Sequence, residues 1–509
     1  MRSERKLFGT DGIRGVADSF PLDAETTFAI GCALARHLAQ AGGPGRRRVV
    51  IGQDTRESSP SIADSVAAGL AAEGVGVESA GVITTPGIAH LARAAGRRRV
   101  VIGQDTRESS LSIADSVSAG LSAEGVEVES AGVITTPGIA HLARCRKFDA
   151  GVVISASHNP WTDNGIKVFG PDGYKLPDGI ELEIEHEIFA GIENASRCAT
   201  PETHRGSSLP GSLELRLDYI EHLIAGVGPV GRGLKLVVDC AHGAASTVAP
   251  DALARWGKDL AVEFIHCDPN GQNINDHCGA LYPETVARAV VERKADLGIT
   301  FDGDADRALF ADANGKVVNG DAVLLLAARD MKAAGRLRND LLVATTMSNM
   351  GLEAALKKSG IRMLRAPVGD KYVLEEMRHN GATLGGEQSG HIIFLDDATT
   401  GDGLLTALHV LHMVGRSGKS LAELVGDLKV FPQVIKNVHV REKQPLMEIP
   451  EVARSIREAE QALDGNGRVV VRYSGTEALA RVMIEAESEK QMHRYADSIV
   501  AAIQQALGV

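Results

Sequence analysis

Short apolar runs bounded by polar or glycine-containing turns recur along the chain and alternate with stretches of helical periodicity. LKLVVDC (234–240), DLGITFD (296–302), LLVATTM (341–347) and RVVVRYS (468–474) predict strands; SLELRLDYIEHLIAG (212–226), ETVARAVVERK (284–294) and GLEAALKKSG (351–360) predict helices between them. Such alternation predicts α/β layers. Another apolar strand starts at Gly151 and runs into a polar turn carrying Ser157, His158, Asn159 and Pro160. Ser, Thr, Gly and Pro accumulate over 187–212 and predict a linker, and a second boundary is placed at 430–438. The last segment reads as a small α+β unit of its own.

The pattern also repeats. Residues 45–93 recur as 96–144, an offset of 51 residues, and only four paired positions differ: Pro60/Leu111, Ala67/Ser118, Ala71/Ser122 and Gly76/Glu127. Each copy predicts a β-α-β-α unit: RRRVVIGQDTRESS, an amphipathic helix, a strand ending in GVI, and TTPGIAHLAR opening a short helix. Two units are too few for a solenoid, which needs about three to bury a continuous core.

With 509 residues, the chain is long enough for roughly three or four domains. The formal charge of −12 disfavours nucleic acid as a partner. No signal core or apolar run of membrane-spanning length occurs, so the expected setting is cytoplasmic, without a membrane partner. The six cysteines form no CxxC pair and suit reduced thiols. His266-Cys267 and His277-Cys278 suggest zinc, but their spacing matches no common zinc pattern, and the segment between them reads as a turn-rich connection.

The chemistry-bearing residues lie in polar loops. Ser157 at a strand end has the placement of a nucleophile, although Ser, His, Asn and Pro equally describe an ordinary turn. Asp302, Asp304 and Asp306 alternate along one loop, so three carboxylates can converge on a hard cation such as Mg²⁺; the bland alternative is a solvated acidic turn. A calcium EF-hand fails, because Arg307 and Ala313 stand where that loop needs Gly and Glu. In RYSGTE, Arg472 offers a bidentate anion ligand, while Ser474, Gly475 and Thr476 offer hydroxyls and backbone N–H groups to a phosphate, or form a simple hairpin turn. GGEQSGH carries Glu387, Ser389 and His391 on a loop suited to sugar hydroxyls. A DxD phosphatase with an aspartate nucleophile is the competing class, but Asp306 stands where such loops usually carry Thr or Val.

Together FGTDGIRG (8–15), ISASHNPWTDNGIKVFGPDGYKL, DGDADR, PVGDKY, GGEQSGH, TTGDGLLTAL and RYSGTE resemble the α-D-phosphohexomutase superfamily, and Gln388 resembles its glucosamine-type loop. The resemblance covers the whole chain once one repeat copy is set aside. It implies three α/β domains with mixed sheets plus a C-terminal α+β domain, divided as 1–212, 213–312, 313–430 and 431–509. The implied reaction interconverts glucosamine 6-phosphate and glucosamine 1-phosphate through a phosphoserine and a 1,6-bisphosphate. Glucose and mannose phosphates, or a sugar-phosphate binder impaired by the duplication, are the alternatives.

By this resemblance Ser157 is the phosphorylated serine and, with Asp302, Asp304 and Asp306, holds one Mg²⁺ ion. Lys167 is the general acid/base, and His158, Arg307 and His391 stabilise the transferring group. Arg472, Ser474, Gly475 and Thr476 bind the idle phosphate, Glu387 and Ser389 the sugar. Arg14 supports the site, as does the Arg of GQDTRESS, for which Arg56 and Arg107 compete; the second copy, with Arg107, is expected to fill the native slot. Glucosamine or glucose 1,6-bisphosphate is the implied activator, a sugar phosphate the partner, and a homodimer is compatible. Tyr473, Ala478 and Lys371 depart from the family pattern, and Lys371 gives up the planar fork of an arginine.

Overall fold

In the computed structural model the described residues are 126–194, 212–229, 233–463, 467–474 and 478–508, with 7–9, 12–16, 49–53, 77–78, 99–107 and a few positions between 19 and 30. They divide into two compact units, Met1–Thr346 with Leu364–Val425, and Met347–Met363 with Gly426–Val509.

The first sheet contains β1 (Phe8–Gly9), β2 (Gly12–Val16), β3 (Val49–Gln53), β4 (Val77–Glu78), β5 (Arg99–Gln104), β6 (Val126–Val133), β7 (Ala150–Ile154) and β8 (Asp163–Phe169), in the order β1-β2-β8-β7-β3-β5-β6-β4. The second contains β9 (Lys235–Asp239), β10 (Ala261–Ile265), β11 (Leu297–Phe301), β12 (Ala308–Asp312) and β13 (Val317–Val318), ordered β10-β9-β11-β12-β13. Its first three strands are parallel and the last two antiparallel, so the sheet is mixed. The third is β15-β14-β16-β17, from β14 (Leu341–Thr345), β15 (Arg362–Ala366), β16 (Leu384–Gly386) and β17 (Ile392–Phe394). Every residue of β7, β11 and β14 is buried, as expected of central strands covered on both faces.

The second unit carries the antiparallel sheet β18-β20-β19, from β18 (Gln433–His439), β19 (Gly467–Tyr473) and β20 (Leu479–Ala486). Helix Pro450–Leu463 buries Val452, Ile456, Ala459 and Leu463, and helix Glu489–Leu507 buries Met492, Ala496, Ile499, Ile503 and Leu507. Those three- and four-residue steps form one apolar stripe per helix, and both stripes share a core with Val438, Val482 and Ile484. Each buried Val, Leu, Ile or Met side chain among these contributes about 1.5–3 kcal/mol.

One expectation is corrected: 187–194 is not linker. It completes helix Asp178–Asn194, because EIFAGIEN continues the helical sequence before it; 195–211 lies outside the described residues.

Both repeat copies address one strand edge. Val50, Ile51 and Gly52 of β3 pair with Gly151, Val152 and Val153 of β7, and their repeat equivalents Val101, Ile102 and Gly103 of β5 take the same three partners. A strand edge presents one row of N–H and C=O groups, which one neighbour saturates. A single copy is therefore sufficient for the sheet. Deleting 45–95, which joins Pro44 to Gly96, is expected to give a folded chain with retained activity. The connection it shortens is worth about 1 kcal/mol or less, since loop length costs about 0.6 kcal/mol per doubling. Thermal melting and turnover of the deleted chain check this; an insoluble or inactive product would show that both copies are required.

Candidate active site

The site is built where β7 and β11 end. Beyond Ile154 the chain turns through Ser155–Pro160, and Ser157 adopts a left-handed backbone with φ of 52°. A non-glycine residue there costs on the order of 1–3 kcal/mol and persists only when its surroundings hold it. They do: Ser157 N–H donates to Ser155 Oγ at 3.0 Å, and Asn275 Nδ2 donates to Ser157 O at 2.9 Å. Ser155 Oγ in turn donates to Asp105 Oδ2 at 3.0 Å, Asp105 is ion-paired with buried Arg107, and Arg107 Nη2 donates to Asn159 O at 3.3 Å. The Asp105 and Arg107 that brace the serine turn thus belong to the second copy; Arg56 lies outside the described residues.

Opposite this turn, the loop after β11 carries Asp302, Asp304 and Asp306, all buried. One oxygen from each lies within 4.8 Å of the others. Ser157 Oγ donates to Asp302 Oδ2, and Arg307 N–H donates to Asp302 Oδ1 at 3.1 Å. Gly303 permits the approach of the loops, because a Cβ there would stand 2.6 Å from Ser157 O. Lys167, on β8 and 1 % exposed, places Nζ 2.7 Å from Asp304 Oδ2 and 3.3 Å from Asp306 Oδ2. Thr136 Oγ1 also donates to Asp304 Oδ2.

The electrostatics are those of crowded carboxylates. Burial, reinforced by Asp306 and Asp304, holds Asp302 well above the usual carboxylate range. Burial would raise Asp306 too, but Lys167, His391 and Arg307 outweigh it and hold it well below that range. Asp304 Oδ1 and Asp306 Oδ1 are buried and accept no hydrogen bond. Unsatisfied carboxylate oxygens converging from one loop fit a hard divalent cation such as Mg²⁺.

His391 lies 3.7 Å from Asp306 through Nδ1 and 3.8 Å from Asp370 through Nε2. Burial alone would lower its pKa, yet Asp306, Asp370 and Glu387 push it up to about 9. Gly401 N–H stands 3.1 Å from Nε2 and donates to it only when the ring is neutral; protonation of His391 replaces that bond with the ion pairs to Asp306 and Asp370. Glu387 accepts from Gly369 N–H at 3.2 Å and from Ser389 Oγ at 3.0 Å. Gly390, with φ of 95°, wedges this loop against the start of β12: a Cβ there would stand 2.5 Å from Ala308 O. His158 Nδ1 is 3.4 Å from Ser157 Oγ.

The structure therefore assembles Ser157, His158, Lys167, the three aspartates, Arg307, His391, Glu387, Ser389 and Arg107 within the first unit. Arg14 lies on β2, where it pairs with Gly165, and its side chain is not among the described ones. Arg472 and Ser474 sit in the second unit, at the end of β19 and in the loop of the β19–β20 hairpin. Ser474 N–H donates to Leu479 O at 2.8 Å, and Lys443 Nζ donates to Ser474 O at 2.7 Å. Gly475 and Thr476 lie outside the described residues.

Lys371, which departs from the family pattern, is held by carboxylates of the first unit. Its Nζ, 7 % exposed, pairs with Glu181 at 2.9 Å and with Asp178, and donates to Leu176 O at 3.0 Å. Lys371→Met strands the buried Glu181 carboxylate and is expected to cost about 3–5 kcal/mol, read as a lower urea midpoint. An unchanged midpoint would reject that role.

A strand-end hydroxyl facing three carboxylates and a buried lysine defines a phosphoryl-transfer site of the α/β class. The chain belongs to the phosphoglucomutase/phosphomannomutase family: it matches alpha/beta/alpha domain I over 5–96 and again over 88–195, domain II over 218–315, domain III over 319–431, and the C-terminal domain over 435–502. It is 55% identical over 509 residues to a phosphoglucosamine mutase of Koribacter versatilis, covering 99% of this chain and 98% of that one. A phosphoglucomutase/phosphomannomutase family protein from Burkholderia thailandensis shares the fold with a TM-score of 0.70 at 22% identity, covering 98% of this chain and 99% of that one. So does Aspergillus fumigatus N-acetylphosphoglucosamine mutase, solved with GlcNAc-6P and magnesium, with a TM-score of 0.52 at 20% identity over 74% of this chain and 93% of that one. The double match of domain I reflects the repeat.

Sequence reasoning missed Asn275, Thr136, Asp105 and Asp370. Each touches the site from a distant part of the chain; Asp105, Thr136 and Asp370 lie in the quoted motifs GQDTRESS, TTPGIAHLAR and PVGDKY, which did not single them out from their neighbours.

Proposed function

We propose that this chain interconverts glucosamine 6-phosphate and glucosamine 1-phosphate, carrying the phosphoryl group on Ser157. The observation that carries the reading is Ser157 Oγ, held in a left-handed turn and hydrogen-bonded to Asp302 of the acidic loop beside Lys167. Membership of the family and the phosphoglucosamine mutase relative support the sugar.

In the working cycle phosphoserine 157 gives its phosphoryl to the free hydroxyl of the sugar phosphate. The P–O bond to Ser157 breaks, the P–O bond to the sugar forms, and the hydroxyl proton passes to a base. Lys167 is the base in this reading, having first given up its own proton, and it returns one when the other phosphoryl moves back to Ser157. The resulting 1,6-bisphosphate turns over between the two halves, so glucosamine or glucose 1,6-bisphosphate primes the enzyme. His158, Arg307 and His391 face the transferring group. Glu387 and Ser389 hold sugar hydroxyls, Arg472, Ser474, Gly475 and Thr476 the resting phosphate, and Arg107 and Arg14 brace the site. Asp302, Asp304 and Asp306, together with phosphoserine 157, would hold one Mg²⁺ ion, which would offset negative charge on the moving phosphoryl. The domains divide near 212, 312 and 430. Cytoplasmic action fits phosphorylated sugars, and no described helix is long and apolar enough to cross a membrane.

A coupled assay on glucosamine 6-phosphate with Mg²⁺ and catalytic bisphosphate tests this reading. The expected product is glucosamine 1-phosphate, formed faster than its glucose or mannose counterparts from their 6-phosphates. Net release of inorganic phosphate without isomer would instead establish a phosphatase, and ligand binding without turnover an impaired binder.

A further inference from the structure

The second sheet ends in a cluster that the phosphoryl-transfer reaction does not use. Asp239 closes β9, His266 directly follows β10, and Cys278 closes the connection leading to Gly279. One ligand atom from each lies within 4.8 Å of the others, so a carboxylate oxygen, an imidazole nitrogen and a thiol face one point. The paired His-Cys residues of the sequence suggested zinc without a matching spacing, and the structure shows that only one residue of each pair faces this point. His277 is exposed, with its side chain 83 % accessible, and Cys267 Sγ donates to Ser246 O at 3.7 Å. Asp239 takes the third place instead, brought there by the parallel pairing of β9 and β10, which sets Asp239 opposite Ile265.

The donors already attract one another: buried His266 Nδ1 lies 3.1 Å from Asp239 Oδ1, close enough for the carboxylate to raise the His266 pKa, but without an aligned hydrogen bond. His242 Nδ1, on a ring edge-on to His266 at 5.3 Å, is likewise buried and has no hydrogen-bond partner. The Asp239 oxygens each accept one backbone N–H, from Ala241 at 2.9 Å and Gly279 at 3.0 Å. Such bonds fix a ligating carboxylate and leave it lone pairs for a cation. A mixed O, N and S set does not suit Mg²⁺, which takes oxygen and water. It suits zinc-class ions, which bind thiolate, imidazole and carboxylate in tetrahedral sites.

We propose that Asp239, His266 and Cys278 bind a zinc-class divalent ion, with a fourth coordination position left to water. On binding, the Cys278 thiol releases its proton to solvent and ligates as thiolate. The ion stands apart from the reacting atoms and acts by positioning. The connection from His266 to Cys278 carries Asn275, whose Nδ2 donates to Ser157 O at 2.9 Å and to Asn159 O at 3.3 Å. A cation tying both ends of that connection to β9 fixes Asn275 and, through it, the serine turn. Binding itself does not depend on the mutase reading.

The test uses the full chain, stripped with a chelator and kept in Mg²⁺, titrated with Co²⁺. One ion per chain is expected to give a thiolate-to-cobalt charge-transfer band, which Zn²⁺ displaces. Asp302→Asn keeps the band, because the acidic loop has no sulfur, and Cys278→Ser removes it. His266→Gln, at a half-buried position that tolerates an amide, is expected to weaken zinc about tenfold or more in chelator competition. No band in the unaltered chain, a band surviving Cys278→Ser, or unchanged zinc competition in His266→Gln overturns the proposal, and the cluster is then a thiol and histidine–aspartate network only.

Discussion

Ser157→Ala is expected to abolish isomerisation, lowering turnover by about 10⁴-fold or more, the order found when a covalent nucleophile is removed. The change deletes one oxygen, and its structural cost is small. The turn is held by main-chain bonds of Ser157, its N–H to Ser155 Oγ and its O from Asn275 Nδ2, which alanine keeps. What alanine loses is the Oγ that faces Asp302 and the acceptor for a phosphoryl group. Two measurements separate chemistry from collapse: phosphate label from sugar bisphosphate should appear on the unaltered protein and not on the variant, while both should melt at similar temperatures. Equal rates in the two proteins would remove the phosphoserine mechanism.

That serine shows how much of the site was legible in the sequence, and where reading stopped. β7, β9, β11 and β14 were visible as apolar runs, because central strands carry their burial in their own residues, whereas β19, an edge strand, was visible from its Val469–Val471 run alone. The acidic loop was visible because three carboxylates at alternate positions are unusual without a cation. Neither loop revealed that it meets the other: Ser157 and Asp302 are 145 residues apart, and their contact depends on Gly303 having no side chain. Asp105, Thr136 and Asn275 were silent because a single polar residue in a loop looks the same whether it faces solvent or braces a catalytic turn. The misplaced linker has a simpler cause. EIFAGIEN ends a helix with no strong stop signal, and the Ser-, Thr- and Pro-rich sequence after it coloured the reading of both. The repeat was plain, but that equivalent residues of both copies compete for one β7 edge required the strand pairing.

Lys167→Met is expected to be nearly as damaging, by about 10²–10⁴-fold in kcat with a smaller change in KM, the usual range for removing a general acid–base group. Two causes combine, and they can be told apart. The first is chemical, since the proton carrier beside the transferring group is gone. The second is electrostatic: Lys167 Nζ bridges Asp304 and Asp306 in a buried site, and methionine leaves three carboxylates without that cation. Burial then acts on Asp306 without its strongest opposing charge, so its pKa rises from well below the usual range. In the unaltered protein the stability tied to that low pKa is present above the ordinary carboxylate pKa and is lost only as pH falls through the low folded value. In Lys167→Met the raised Asp306 pKa shrinks or reverses that contribution, so the variant is destabilised most at neutral pH and its deficit against the unaltered protein narrows as pH falls. Mg²⁺ should restore much of the lost stability, because the three aspartates still converge, but it should not restore kcat. Recovery of both by Mg²⁺ would reduce Lys167 to a counter-ion and reassign the proton transfer to another group, of which His391, held at about 9 by its carboxylate neighbours, is nearest to Asp306.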